Sequence, residues 1–187
     1  MILSNRQLDL LEYVKFAHGD QKRKYTMEPY YTHCITVAEI VSEYDHSNGM
    51  IEIALCHDLF EDTTVTEFTL RKCLKELGYT VQEQDFIVIG VTALSDYWTS
   101  ERFPQLNRGT RKHLEAIRLG KINESYQTIK YADLIHNTKS IIQHDKGLAK
   151  KYIPEKREIL NLMRMGNLEL FIRSYELLLV AENELTI

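Results

Sequence analysis

The chain holds little that would interrupt a helix. Three prolines and eight glycines are spread over 187 residues, and apolar residues recur at helical spacing almost throughout, so an all-α fold is expected. Cysteine is scarce as well. Cys34, Cys56 and Cys73 are widely separated, odd in number and without a C-x-x-C spacing. That pattern excludes a disulfide frame and reads as reduced, mostly buried thiols in a cytoplasmic protein. No apolar run approaches the roughly eighteen residues of a membrane-spanning helix. Met1-Ile2-Leu3-Ser4-Asn5-Arg6 lacks the apolar segment of a signal peptide, so no membrane association is expected. Nor is positive charge in excess: 23 Lys and Arg against 27 Asp and Glu leave a net charge of −4, which gives no case for nucleic acid as a partner. An anionic ligand would have to be met by a local basic cluster.

What is present is an ordinary globular composition, 44% hydrophobic and 27% charged, long enough to bury a core in one domain. The expected organisation is a single domain over 1–187, with the informative core at about 5–145 and C-terminal helices at about 153–183 packing on it. Ser4 and Gln7 form a capping-box pattern opening a helix with Leu8, Leu11, Val14 and Ala17 on one face. A loop with Lys22-Arg23-Lys24 follows, since Pro29 disfavours helix at the residue before it. The next helix starts around Tyr30 to Thr32, with His33, Val37, Ile40, Val41 and Tyr44 on an inward stripe. Further helices are expected over Ile51–Leu59, from a Thr64 or Thr66 cap to Gly78, and over Gln82–Ala93. Ser95 to Gly109 reads mostly as loop. Beyond it come helices over Arg111–Leu119, Asn123 to about His144, Pro154–Met165 and Leu168–Glu182.

The densest concentration of metal-seeking groups is Cys56-His57-Asp58-Leu59-Phe60-Glu61-Asp62-Thr63. On a helix His57 and Glu61 share a face, as do Asp58 and Asp62. Placed directly after an apolar run, four ionisable groups are costly to bury unless a divalent cation offsets the carboxylate repulsion and accepts the imidazole. A solvated helix end would carry the same residues. His33, on an inward stripe, and Asp133, mid-helix among Tyr131, Ala132, Leu134 and Ile135, are placed to supply further ligands. A core histidine bonded to a backbone carbonyl, and an aspartate paired with Lys130 or Lys139, are the alternatives. The other histidines, His18, His46, His113, His136 and His144, read as surface residues.

The order His, His-Asp, distant Asp resembles the HD phosphohydrolase superfamily. Ala17-His18 with Gln21-Lys22-Arg23-Lys24, Pro29-Tyr30-Tyr31-Thr32-His33, His57-Asp58-x-x-Glu61-Asp62-Thr63 and Lys130-Tyr131-Ala132-Asp133-Leu134-Ile135-His136-Asn137 narrow the likeness to the RelA/SpoT-type (p)ppGpp hydrolase domain. The motifs cover about residues 10 to 145. The resemblance implies an HD-type helical bundle with His33, His57, Asp58 and Asp133 as ligands to Mn2+, or to another divalent cation. It implies Glu61 and Asp62 as the catalytic carboxylates that orient and activate water. It also makes Arg23 the residue that packs on the guanine ring, with Lys24 near phosphate and Asn137 lining the nucleotide pocket.

Three positions depart from the pattern. Cys34 follows the first histidine in place of proline, Leu94-Ser95-Asp96-Tyr97-Trp98 replaces an acidic-lysine stretch, and Lys139 stands where arginine is common. The expected activity is hydrolysis of the 3′-pyrophosphate of a small-molecule nucleotide, (p)ppGpp, to GDP or GTP and pyrophosphate. The rival readings are an HD phosphohydrolase for ppApp, a dNTP, a nucleoside monophosphate or NADPH, and a non-catalytic nucleotide-binding HD protein. No residue pattern sets an oligomeric state.

Overall fold

The structure is a computed structural model that describes residues 1–45 and 47–186; His46, read above as a surface residue, lies outside the described set. Among the described residues there is helix and no strand, apart from one isolated bridge between Lys22 and Pro29. No helix is long and apolar enough to cross a membrane. None of the three cysteines is in a disulfide. The chain divides into two compact units, Met1–Ser95 and Asp96–Ile187.

The first unit contains α1 (Asn5–His18), α2 (Tyr31–Ser42), α3 (Met50–Cys56), α4 (Leu59–Asp62), α5 (Glu67–Glu76) and α6 (Val81–Leu94). Its centre is α3, which packs on α1, α2 and α6. Met50, Ile53, Ala54, Leu55 and Cys56 are fully buried, and each large apolar side chain contributes about 1.5–3 kcal/mol on burial. The capping box at Ser4 forms as expected, and of the two expected caps Thr64 and Thr66 it is Thr66 that starts α5, also in a capping box; each side chain accepts from the backbone N–H three residues on. The inward face of α1 is Leu10, Leu11, Val14 and His18, whereas Leu8 is exposed. The buried stripe therefore runs beside the one expected from Leu8, and His18 belongs to it rather than to the surface.

The expected Ile51–Leu59 helix is interrupted. Helix α3 stops at Cys56, His57 and Asp58 form a turn, and α4 restarts at Leu59. Asp58 has φ −95° and ψ −1°, the bridge region common at active sites. Its carbonyl accepts from both Glu61 N (3.2 Å) and Asp62 N (2.9 Å), so it starts a new helix instead of extending the old one.

The second unit contains α7 (Arg108–Leu119), α8 (Glu124–His144), α9 (Lys146–Leu162) and α10 (Leu168–Thr186), preceded by the 96–107 loop. Helix α8 packs on α9 and α10, and α9 also packs on α7. Helix α9 begins well before Pro154, the expected first residue, because Asp145 caps it by accepting from Leu148 N at 2.8 Å. Pro154 then sits in the helix interior, where it withholds one donor from the ladder. Helix α8 is fixed from outside by Gly166 and its neighbours. Met165 N and Asn167 N each donate at 2.9 Å, to Gln127 and Thr128 side chains, and the Tyr131 hydroxyl donates to the Met163 carbonyl at 2.9 Å. A Cβ on Gly166 would lie 2.8 Å from Thr128 N and 2.7 Å from the Tyr131 ring, so only glycine fits this approach.

Candidate metal centre

The interruption after Cys56 is what builds the site. On a continuous helix, adjacent side chains diverge. Here His57 Nε2 and Asp58 Oδ2 converge to 3.1 Å, and His33 Nε2, carried in from the first turn of α2, lies 3.4 Å from Asp58 Oδ2 and 3.3 Å from His57 Nε2. The three donors form one triangle, the group among the described residues that could hold a metal ion. Bonds of about 2.1 Å set neighbouring donors of an octahedral ion roughly 3.0 Å apart and of a tetrahedral ion roughly 3.4 Å apart, a range that matches the observed sides.

The protonation pattern points the same way. His57 Nδ1 lies 2.7 Å from the Ala54 carbonyl, so it carries the proton and leaves Nε2 with a lone pair. A ligating histidine is commonly oriented by such a bond from its other ring nitrogen to a backbone carbonyl. That lone pair then faces a carboxylate oxygen and a second imidazole nitrogen in a buried setting: His33 and His57 are 0% and 2% exposed. Without positive charge the arrangement is repulsive. Burial opposes ionisation of Asp58, and it takes positive charge beside it, on the two rings when they are protonated, to hold the carboxyl well below the ordinary range. A divalent cation supplies the same field without protonating the rings.

Around the triangle, Tyr30 is the organising side chain. Its hydroxyl donates to Asp58 Oδ2 at 2.9 Å and also hydrogen-bonds Asp62. Burial and the two carboxylates push its pKa far up, so it remains a donor. His18 stacks on the Tyr30 ring at 4.9 Å and lies 2.8 Å from Gln21 through Nδ1. The Arg23 guanidinium stands 5.6 Å from the Tyr30 ring centroid. Partial burial and the Asp58 charge raise the Asp62 carboxyl above its usual value despite the Tyr30 bond. Glu61 and Asp62 are both solvent-exposed on α4. Lys24 is exposed and turned to Tyr25, with Nζ 3.2 Å from the hydroxyl.

Asp133 and Asn137 belong to the second unit. Asp133 is 5% exposed; it pairs with Lys130 Nζ at 2.8 Å and accepts from Asn137 Nδ2 at 2.5 Å. The residues gathered in the first unit are thus His33, His57 and Asp58, with Asp62 and Arg23 linked to them through Tyr30. Tyr30 and His18 carried no assigned role in the sequence. The available signal was spacing: Tyr30 precedes His33 by three residues, one helical turn on the same face.

The helical fold with its His and His-Asp centre is that of an HD protein. The HD domain family matches residues 30–138, more than half of the chain, and the chain belongs to that family. Among curated relatives, the GTP pyrophosphokinase rsh of Brucella ovis is 31% identical over 145 residues, covering 73% of this chain and 17% of the relative. The guanosine-3′,5′-bis(diphosphate) 3′-pyrophosphohydrolase of Haemophilus influenzae is 33% identical over 125 residues, covering 67% of this chain and 17% of the relative. The chain therefore spans less than a fifth of the length of these relatives. A solved structure described as a metazoan ortholog of SpoT that hydrolyses ppGpp superposes with a TM-score of 0.77, covering 95% of this chain and 96% of that one at 22% identity. This likeness extends the shared fold over nearly the whole chain.

Proposed function

We propose that the chain is a metal-dependent 3′-pyrophosphohydrolase of (p)ppGpp, releasing pyrophosphate and leaving GDP or GTP, and that it works in the cytoplasm. The observation that carries this reading is the His33–His57–Asp58 triangle followed one turn later by Glu61 and Asp62. The names of the relatives support the substrate. Two imidazoles and a carboxylate suit a borderline cation, and manganese is the ion proposed. Asp133 is proposed as the fourth protein ligand, on the family pattern. When bound, such an ion lowers the pKa of a water and polarises a phosphoryl oxygen.

The chain's own residues do the rest. Asp62, with its carboxyl raised by burial and by Asp58, takes the proton of the attacking water as general base, and Glu61 orients that water. General-base catalysis of this kind is worth on the order of 10²–10⁴ in rate. The Tyr30 hydroxyl fixes Asp58 and Asp62 against one another. Arg23 offers a planar guanidinium for the purine, and Lys24 a cation for phosphate. Asn137 is proposed to line the nucleotide pocket.

One departure motivates a second reading, an HD hydrolase for a different nucleotide: the 94–98 segment lacks the family's acidic-lysine stretch, and its Asp96 is instead tied to Lys112 at 2.7 Å. Incubation with manganese and a panel of ppGpp, pppGpp, ppApp, dNTPs and NADPH decides between them. Pyrophosphate release from ppGpp and pppGpp is expected. Inertness toward every 3′-pyrophosphorylated nucleotide overturns the first reading.

A further inference from the structure

The second unit contains a cavity of about 170 Å³ lined by Asp96, Trp98 and Thr99 of the loop and by Arg108, Arg111 and Lys112 of α7. It holds none of the residues assigned a role above. The volume is below the ~300 Å³ at which pockets begin to take drug-sized molecules, so its ligand is small. We propose that this cavity is a binding site for a phosphoryl group, with Arg111 and Lys112 as its principal cations.

The cations outnumber their partners. Lys112 Nζ pairs with Asp96 at 2.7 Å, and the Arg108 fork holds Glu155 at 2.8 and 3.0 Å. Arg111 donates to the Leu106 carbonyl and makes no ion pair with a described carboxylate; the exposed Glu101 acts on it only at longer range. Behind the cavity, Lys130 and Lys156 also act on Asp96. Five cations, Arg108, Arg111, Lys112, Lys130 and Lys156, thus face four carboxylates, Asp96, Glu101, Asp133 and Glu155.

The excess has a measurable consequence. Burial, then the nearby Lys130 and Lys112, bring the Lys156 ammonium down to about 8, and the lysines together hold Asp96 below the usual carboxylate range against its burial. A dianion entering beside Lys112 relieves that repulsion. The donors suit phosphate: a guanidinium edge and an ammonium, with the Thr99 hydroxyl accepting from Arg102 N at 3.3 Å and donating to the Glu101 carboxylate.

The choice of a phosphoryl ligand rests partly on the nucleotide reading above, but binding at the cavity needs no turnover. Trp98, the only tryptophan in the chain, lines the cavity and reports on it. The full chain is titrated with pyrophosphate, inorganic phosphate and GDP, with and without EDTA, following Trp98 fluorescence and calorimetric heat. A saturable, EDTA-insensitive change is expected, weakened about tenfold or more in Arg111→Gln and in Lys112→Met, as for loss of a charge-assisted bond. Near-UV circular dichroism verifies that each variant is folded, and Arg111→Gln breaks no ion pair. GDP binding more tightly than pyrophosphate assigns the site to a nucleotide's phosphate, and the reverse to the free product; both support a phosphoryl site. A flat signal with all three probes, binding that vanishes with EDTA, or unaltered affinity in both variants overturns it. Hydrolysis of ppGpp with a flat Trp98 signal removes the subsite alone. A saturating signal without hydrolysis of any nucleotide removes the hydrolase reading and leaves the subsite.

Discussion

In the first unit, two imidazole nitrogens and a carboxylate oxygen meet within 3.4 Å of one another. In the second, Lys112, Lys130 and Lys156 crowd around Asp96 and Asp133. The two clusters both set aspartate beside nitrogen bases and have opposite deficits: the first needs a cation and the second an anion. The net charge of −4 reveals neither. Local charge balance in a desolvated setting, and not the total for the chain, indicates which ligand each region takes.

The comparison is broken most severely in the first cluster. His57→Ala or Asp58→Ala should abolish stable metal retention and reduce turnover by about 10³-fold or more, since the activated nucleophile goes with the ion. Metal content and pyrophosphate release are the measurements. Asp62→Asn should keep the metal and lose roughly 10²–10⁴ in kcat. As the proposed general base, Asp62 has to be ionised, and its pKa is raised. Activity should therefore fall as pH drops through a value above the ordinary aspartate range of about 3.9.

Tyr30→Phe comes next, with a loss of about tenfold in kcat, in keeping with the effect of removing a partner that orients a ligand. Its hydroxyl bond favours ionised Asp62, so the acid limb of the pH profile should move upward in the variant. An unmoved limb would mean that Tyr30 only fills space. Arg23→Ala should raise KM by about five- to tenfold with kcat little changed, as expected for a stacking contact of about 1 kcal/mol. Gly166→Ala leaves both clusters intact chemically and acts on the support of α8. It should cost about 1–3 kcal/mol in denaturant unfolding through overpacking against Tyr131 and Thr128, with the smallest effect on turnover per folded molecule.

Much of this arrangement could be read before any coordinates. Scarce proline and regular apolar spacing gave the helices, and Ser4 marked one start while a second was narrowed to Thr64 or Thr66, because a hydroxyl at that position completes the first turn. Imidazole and carboxylate crowding after an apolar run identified His57 and Asp58. What periodicity could not supply was the turn at those two residues, since a helical pattern assumes that neighbours diverge while this site needs them to converge. Pro154 misplaced the start of α9 because a proline suits a first turn, yet Asp145 capped the helix earlier. His18 looked superficial because an imidazole at a helix end is normally solvated; stacking on Tyr30 draws it in. For Asp133, pairing with Lys130 was one of two partners that spacing allowed.

The most direct test of the first cluster is the metal content of the full chain after manganese loading and desalting, compared with that of Asp58→Ala. About one equivalent of divalent ion in the parent and none in the variant is the expected result. A parent that retains no ion, or a variant that retains as much as the parent, would contradict the assignment of His33, His57 and Asp58 as its ligands.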